Sequence, residues 1–167
     1  MKIFGDKIKD GIAIKSSVKR IAYQIYENNI EEKSIVIVGI GNRGKILSNL
    51  LGNSIKSICD LNLIFVSLSI KKKKLLNVVE SDISLEEIKN KSIIIVDDVL
   101  NTGGTLIYAV SYFLKIPVKK IQTAVMVNRN HKKFPIKADF KGISLSTSVN
   151  EHISVVLEGN EIGIYLS

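Results

Sequence analysis

Cysteine occurs once in these 167 residues, at Cys59. One thiol forms no internal disulfide, which suits a reducing compartment. Long apolar runs are missing too. The longest, such as IIIV and LIFV, fall far short of the ~20 residues that a membrane span needs. MKIFGDKIKD carries no apolar segment behind its first lysine, so it does not read as a signal peptide. These absences predict a cytoplasmic chain with no membrane contact. There is no internal repeat, linker or low-complexity segment. Several chemistries lack their motif as well. No G-x-x-x-x-G-K-[ST] loop occurs, because Gly44 leads into Lys45-Ile46. No serine sits in a G-x-S-x-G elbow. His131, His152 and the one cysteine lack the spacing of zinc ligands.

Arginine is scarce, with only Arg20, Arg43 and Arg129. The net charge is nevertheless +8, from 24 Lys+Arg against 16 Asp+Glu. That excess invites an anionic partner, phosphate or RNA. A lysine-heavy composition rich in Ile and Asn also follows from an AT-rich genome. The length and the 46% apolar content fit one globular domain over 1–167.

Periodicity places the elements. Ile14, Val18, Ile21, Ala22 and Ile25 form a helical stripe within 10–29. The run 33–40, KSIVIVGI, is a strand buried on both faces. After Gly44, Ile46, Leu47, Leu50 and Leu51 predict a helix with Gly52 as its stop. Strands follow at 61–70, 92–98 and 120–127, with a helix in GTLIYAVSYFLK. Lys71 to Lys74 reads as an exposed loop tip. Alternating strands and helices predict an α/β fold with a parallel sheet. The tail, HISVVLEGNEIGIYLS, reads as a hairpin around Gly159-Asn160.

Two segments carry chemistry. GIGNRG at 39–44 matches G-x-G-x-x-G after a strand and before a helix, but the next strand ends SLSI, without the acid that a dinucleotide site expects. It reads better as an anion loop, with Arg43 and backbone N–H groups at a helix start. A tight strand–helix turn with a solvated arginine is the plain alternative. The second segment is SIIIVDDVLNTGGTL at 92–106. Its strand ends on Asp97 and Asp98, at the sheet edge where open α/β folds bind ligands. The loop Asn101-Thr102-Gly103-Gly104-Thr105 then offers N–H groups, hydroxyls and a helix dipole to a phosphate. Carboxylates beside an anion cradle suit a ligand with both hydroxyls and phosphate. An N-cap explains one Asp and one Thr of this run, not all of it.

IIIVDDVLNTGGT resembles the phosphoribosyl-pyrophosphate (PRPP) signature of type I phosphoribosyltransferases: an aliphatic strand, two acids, then T-G-x-T. The chain is most similar to the bifunctional pyrimidine-operon regulator/uracil phosphoribosyltransferase family. RIAYQIYENN, IVIVGIGNRGKILSNLL, QTAVMVNRNHKKFPIKADFKG and IGIYLS carry that similarity in order and spacing. The resemblance implies the family fold: a central parallel sheet flanked by helices, with a small C-terminal hairpin, or hood. It implies transfer of the phosphoribosyl group to a nucleobase, uracil first, with release of pyrophosphate. Asp97 and Asp98 would hold the ribose hydroxyls. Val99, Leu100, Asn101, Thr102, Gly103, Gly104 and Thr105 would complete the PRPP loop. Gly41, Asn42, Arg43 and Gly44 would meet pyrophosphate, and Mg²⁺ would come bound to PRPP rather than to protein ligands. Asn128, Arg129, Phe140 and Val149 would lie near the base. Catalysis would rest on Arg43, Asp97 and Asp98.

The resemblance also implies RNA as a second partner, through Lys19, Arg20, Lys132 and Lys133, and a homodimer or higher homo-oligomer. Departures stand beside it. Gly104 replaces the usual arginine of T-G-R-T, and the arm at 70–84 is short and lacks arginine. In the 6-oxopurine branch, an aspartate at the position of Asn101 assists proton transfer, and a lysine at that of Asn128 recognises the oxo group. This chain has asparagine at both, which points towards a pyrimidine. A weakly catalytic PRPP or nucleotide sensor, or an RNA-binding regulator, is the alternative from another class. A purine phosphoribosyltransferase is the third.

Overall fold

The computed structural model describes residues 5–72 and 76–167. A short strand, β1 (Asp6–Asp10), runs into helix α1 (Gly11–Asn28). The Asp10 carboxylate accepts from the Ala13 N–H and so caps that helix. The five residues of the apolar stripe are all buried.

The chain then builds β2 (Ser34–Ile40), α2 (Gly41–Ile58), β3 (Asn62–Lys72) and β4 (Asn77–Ser81). A short 3-10 turn at Leu85–Ile88 leads to β5 (Ser92–Leu100), α3 (Gly104–Phe113), β6 (Lys120–Asn128) and β7 (Phe140–Ser144). The main sheet has the order β4-β3-β2-β5-β6-β7, and only β4 is antiparallel to its neighbour. The β-branched runs pack on both faces, as their sequence requires. Ile35, Ile37, Ile94 and Val96 face the layer of α1 and α2. Val36, Val38, Ile93 and Ile95 face the layer of α3.

A second sheet joins β8 (Ile153–Val156) and β9 (Gly163–Leu166) to β1, in the order β1-β9-β8. The expected tail hairpin is therefore three-stranded, because the amino-terminal strand pairs with β9. Among the described residues, no helix is long and apolar enough to cross a membrane.

Three expectations need correction. Helix α2 starts at Gly41 rather than after Gly44, so the anion loop is the helix's own first turn. Gly52 does not stop it, and a Cβ there would lie 2.3 Å from the Phe65 ring, so glycine serves close packing of helix on strand. The lysine run is not all loop. Lys71 and Lys72 end β3, with Lys71 Nζ 2.6 Å from Glu80 on β4. Lys73 and Lys74 lie outside the described residues.

Candidate active site

The parallel strands all end at one edge of the sheet, and three segments meet there. The first is the end of β5. The strand continues through Asp97 and Asp98 to Leu100, so it does not turn at the carboxylates. Successive side chains on a strand look to opposite sides, and these two do. Asp98 reaches α2, where its Oδ2 lies 3.4 Å from Arg43 Nη1. Asp97 lines a small cavity under the following loop and accepts from the Asp98 N–H at 2.9 Å. Burial, and then the neighbouring Asp98 charge, push the Asp97 carboxyl well above the usual carboxylate range, against the pull of that one hydrogen bond. A hydrogen-bond donor or a cation brought to this carboxyl would lower its pKa again.

The first turn of α2 is the second segment. Gly39 and Gly44 let it approach the sheet, because a Cβ at Gly39 would lie 2.6 Å from Lys45 Cα and one at Gly44 2.7 Å from the Val96 carbonyl. Gly41 takes φ +60°. The turn has no side-chain cap, which leaves its N–H groups for an anion. A cleft of about 510 Å³ opens beside it, between Gly41, Asn42 and Lys45 and the polar residues Ser67, Ser69 and Asp82.

The third segment is the loop between β5 and α3. Gly103 has φ +86°, and a Cβ there would lie 2.5 Å from Ile136 Cγ2. The turn is thus closed by the 130–139 segment, whose Lys133 and Phe134 N–H groups both donate to the Thr102 carbonyl. It encloses a cavity of about 60 Å³, of a size for a phosphate group. Thr102, Gly103 and Thr105 line it, while Gly104 opens α3. Val99 and Leu100 differ from expectation. Leu100 is a core residue of the α3 layer and Val99 packs against the other, so both offer the site mainly backbone.

The residues expected at the base divide. Asn128 ends β6, buried, with Nδ2 donating to Asn130 Oδ1 at 3.1 Å and Oδ1 without a partner among the described residues. Arg129 is not open to a base. Its Nε donates to Thr147 Oγ1 at 2.7 Å, its Nη1 to Asn101 Oδ1 at 3.3 Å, and its Nη2 to the carbonyls of Ser148 and Glu151. Phe140 is a core residue. It pairs with Ala124, four residues before Asn128, roughly 13 Å from the strand ends at 3.3 Å per residue. Val149 is 86% exposed in the loop that Arg129 holds.

The four basic residues assigned to RNA, all exposed, sit on two elements, Lys19 and Arg20 on α1 and Lys132 and Lys133 in the segment after β6. Lys19 lies on α1, in one layer, while the 134–138 segment that follows Lys132 and Lys133 packs in the other. Arg20 is committed elsewhere, with Nη1 and Nη2 donating to the carbonyls of Lys141 and Gly142 on β7. Lys132 and Lys133 stay exposed. Sequence reasoning missed Thr147 and Glu151, which hold Arg129, and Ile136, which packs against Gly103. The only available signal was the long aperiodic stretch after Asn128.

The profile of the phosphoribosyl transferase domain matches residues 5–158. The chain belongs to the phosphoribosyltransferase family. It is 33% identical over 160 residues to the bifunctional protein pyrR of Enterococcus faecalis, covering 91% of this chain and 89% of that protein. It is 35% identical over 161 residues to the PyrR of Clostridium acetobutylicum, covering 92% and 90%. The fold is that of solved phosphoribosyltransferases. A hypoxanthine phosphoribosyltransferase of Trypanosoma cruzi superposes with a TM-score of 0.81 at 14% identity, over 99% of this chain and 98% of that one. A hypoxanthine-guanine phosphoribosyltransferase of Bacillus anthracis gives 0.75 at 19% identity, over 87% and 85%.

Proposed function

We propose that this phosphoribosyltransferase moves the phosphoribosyl group of PRPP to a pyrimidine base, uracil first, and releases pyrophosphate. One observation carries the reading: at a single sheet edge, Asp97 and Asp98 stand between an uncapped helix start bearing Arg43 and a glycine turn enclosing a phosphate-sized cavity. The 5′-phosphate belongs in that cavity, among Thr102, Gly103 and Thr105. The ribose hydroxyls belong on the two carboxylates, and donation from them would relieve the raised pKa of Asp97. Pyrophosphate belongs at the first turn of α2, where Arg43 and the N–H groups stabilise the charge that develops on the leaving group.

Among the described residues, no group of three or more His, Cys, Asp or Glu side chains is placed to hold a metal ion. The crowded Asp97–Asp98 pair does fit a cation carried in by PRPP. Mg²⁺ bound in that way would neutralise charge on the departing pyrophosphate.

Pyrimidine choice rests on Asn101 and Asn128. An amide accepts no proton at neutral pH, so Asn101 is no general base, and Arg129 already holds its oxygen. Asn128 offers a neutral group where an oxopurine site calls for a cation. The curated relatives named as pyrimidine-operon regulators favour the same class of base. The deciding experiment is base-dependent consumption of PRPP with Mg²⁺. Loss of PRPP only when uracil is present supports the reading, and a preference for hypoxanthine or guanine defeats it.

A second reading, an RNA-binding or nucleotide-sensing regulator with little turnover, draws on the arm. The β3–β4 hairpin is short, and Lys71, one of the cations that would close over pyrophosphate, is paired with Glu80. RNA contact would fall to Lys132 and Lys133. Self-association, implied by the resemblance, would be read from the mass in solution.

A further inference from the structure

Arg43 and Lys45 stand two positions apart near the start of α2, which at 3.6 residues per turn sets them roughly 200° from one another. They therefore leave the helix on opposite flanks. Arg43 reaches towards β5, where it meets Asp98. Lys45 lines the cleft of about 510 Å³ on the other flank, together with Ser67 and Ser69 of β3. Gly39 lets the lysine sit close on the strand end, since a Cβ there would lie 2.6 Å from Lys45 Cα. The space over the first turn is open, because a Cβ at Gly41 would meet nothing within 4 Å.

The charges around the cleft are unequally engaged. Glu80 is paired with Lys71, and Asp82 Oδ1 accepts the Ser67 N–H at 2.8 Å, so both acids serve the β3–β4 hairpin. Lys45 is exposed and has no ion pair among the described residues. The sheet order adds a direction. β2 lies between β5 and β3, with Gly39 opposite Val96 on one side and Ser67 on the other. Along the edge, the phosphate-sized cavity, the two carboxylates, Arg43 and Lys45 follow one another. PRPP carries its groups in the same order: 5′-phosphate, ribose, inner phosphate, terminal phosphate.

We propose that Lys45 binds the terminal phosphate of the pyrophosphate group, while Arg43 and the N–H groups of the first turn hold the inner one. This rests on the pyrophosphate assignment and deepens it. An ammonium acts as a point charge and needs no fork geometry. Lys45 thus supplies from the helix the positive charge that the short arm, without arginine, gives less of. It stabilises the pyrophosphate as it departs.

The full-length protein is titrated by calorimetry, with Mg²⁺ present, against PRPP, pyrophosphate, ribose 1,5-bisphosphate and ribose 5-phosphate. Ribose 1,5-bisphosphate ends at the inner phosphate and ribose 5-phosphate has neither, so the series reads each position without base or turnover. Lys45→Gln is expected to weaken PRPP and pyrophosphate at least about ten-fold, as loss of one hydrogen bond to a charged group requires. The other two ligands should bind this variant within a few-fold of wild type, and its melting temperature should not change. Lys45→Arg keeps the charge and should stay close to wild type for all four; an arginine variant as weak as the glutamine one would overturn the proposal. An equal loss across the series, the mark of a damaged site, would do the same. So would a loss for ribose 1,5-bisphosphate as large as for PRPP, which puts Lys45 on the inner phosphate. A wild-type protein that binds ribose 5-phosphate but not pyrophosphate would remove the pyrophosphate assignment and this proposal with it. Wild-type pyrophosphate binding that is unchanged in Lys45→Gln would remove this proposal alone.

Discussion

Replacing Asp97 by asparagine should make the protein more stable and worse at its task. In the ligand-free fold, burial and the Asp98 charge raise the Asp97 pKa. Below the ordinary carboxylate pKa, near 3.8, both the folded and unfolded chains hold the proton, and Asp97 has no net effect. As pH rises towards the raised value, the unfolded chain releases its proton and the folded one keeps it, so stability falls. Above the raised value the loss is constant. Asparagine keeps the oxygen that accepts the Asp98 N–H and cannot ionise, so Asp97→Asn should melt higher than wild type at neutral pH. The advantage should vanish near pH 3.8. PRPP affinity should move the other way. A hydrogen bond from a ribose hydroxyl to an ionised carboxylate contributes about 1.5–3 kcal/mol, so losing the charge should cost roughly 10- to 100-fold in affinity. Melting curves across pH and calorimetry with PRPP and Mg²⁺ read both effects. A variant that melts lower at pH 7, or binds PRPP within a few-fold of wild type, would refute the reasoning.

Further outcomes follow from the glycines and the lysines. Gly103→Ala forces a side chain onto φ +86° and against Ile136. The left-handed backbone alone costs about 1–2 kcal/mol, so melting should drop and ribose 5-phosphate binding should fall with it; an alanine variant indistinguishable from wild type would contradict the turn's role. Lys132→Gln with Lys133→Gln should leave PRPP binding intact. If RNA contacts run through these two lysines, each should remove about 0.7 from the log affinity against log salt slope on single strands; an unchanged slope by filter binding would exclude them from an RNA surface. Arg20→Gln should lower stability rather than RNA affinity, because its donors serve β7.

Much of this architecture was readable where local pattern and tertiary need agree. The runs IVIVGI and IIIV could only be strands buried on both faces, and the stripe from Ile14 to Ile25 could only face a core. Asp97 and Asp98 were legible because two acids at the end of such a strand have no packing reason. Glycines misled where their purpose was packing: Gly52 admits the Phe65 ring, and Gly44 lets α2 lean on β5, neither of which a helix-stop rule foresees. β1 was invisible because DKIKD is charged and acquires its partner from the far end of the chain. Phe140 was misplaced because its register on β6 is a tertiary fact. Arg129 was read as facing a base because its four partners lie 18 to 28 residues away in sequence.

The most direct test of pyrimidine phosphoribosyl transfer is a side-by-side assay of uracil, hypoxanthine, guanine and adenine, each with PRPP and Mg²⁺, read as nucleoside monophosphate formed. Uracil should give uridine monophosphate and an equal amount of pyrophosphate, with the purines slower by a few orders of magnitude. The contact weakened at Asn128, worth about 0.5–2 kcal/mol between a charged and a neutral hydrogen bond, combines with the proton acceptor lost at Asn101, worth about 10²- to 10⁴-fold, to that scale. Hypoxanthine or guanine turning over faster than uracil would contradict the account, and so would no nucleotide from any base.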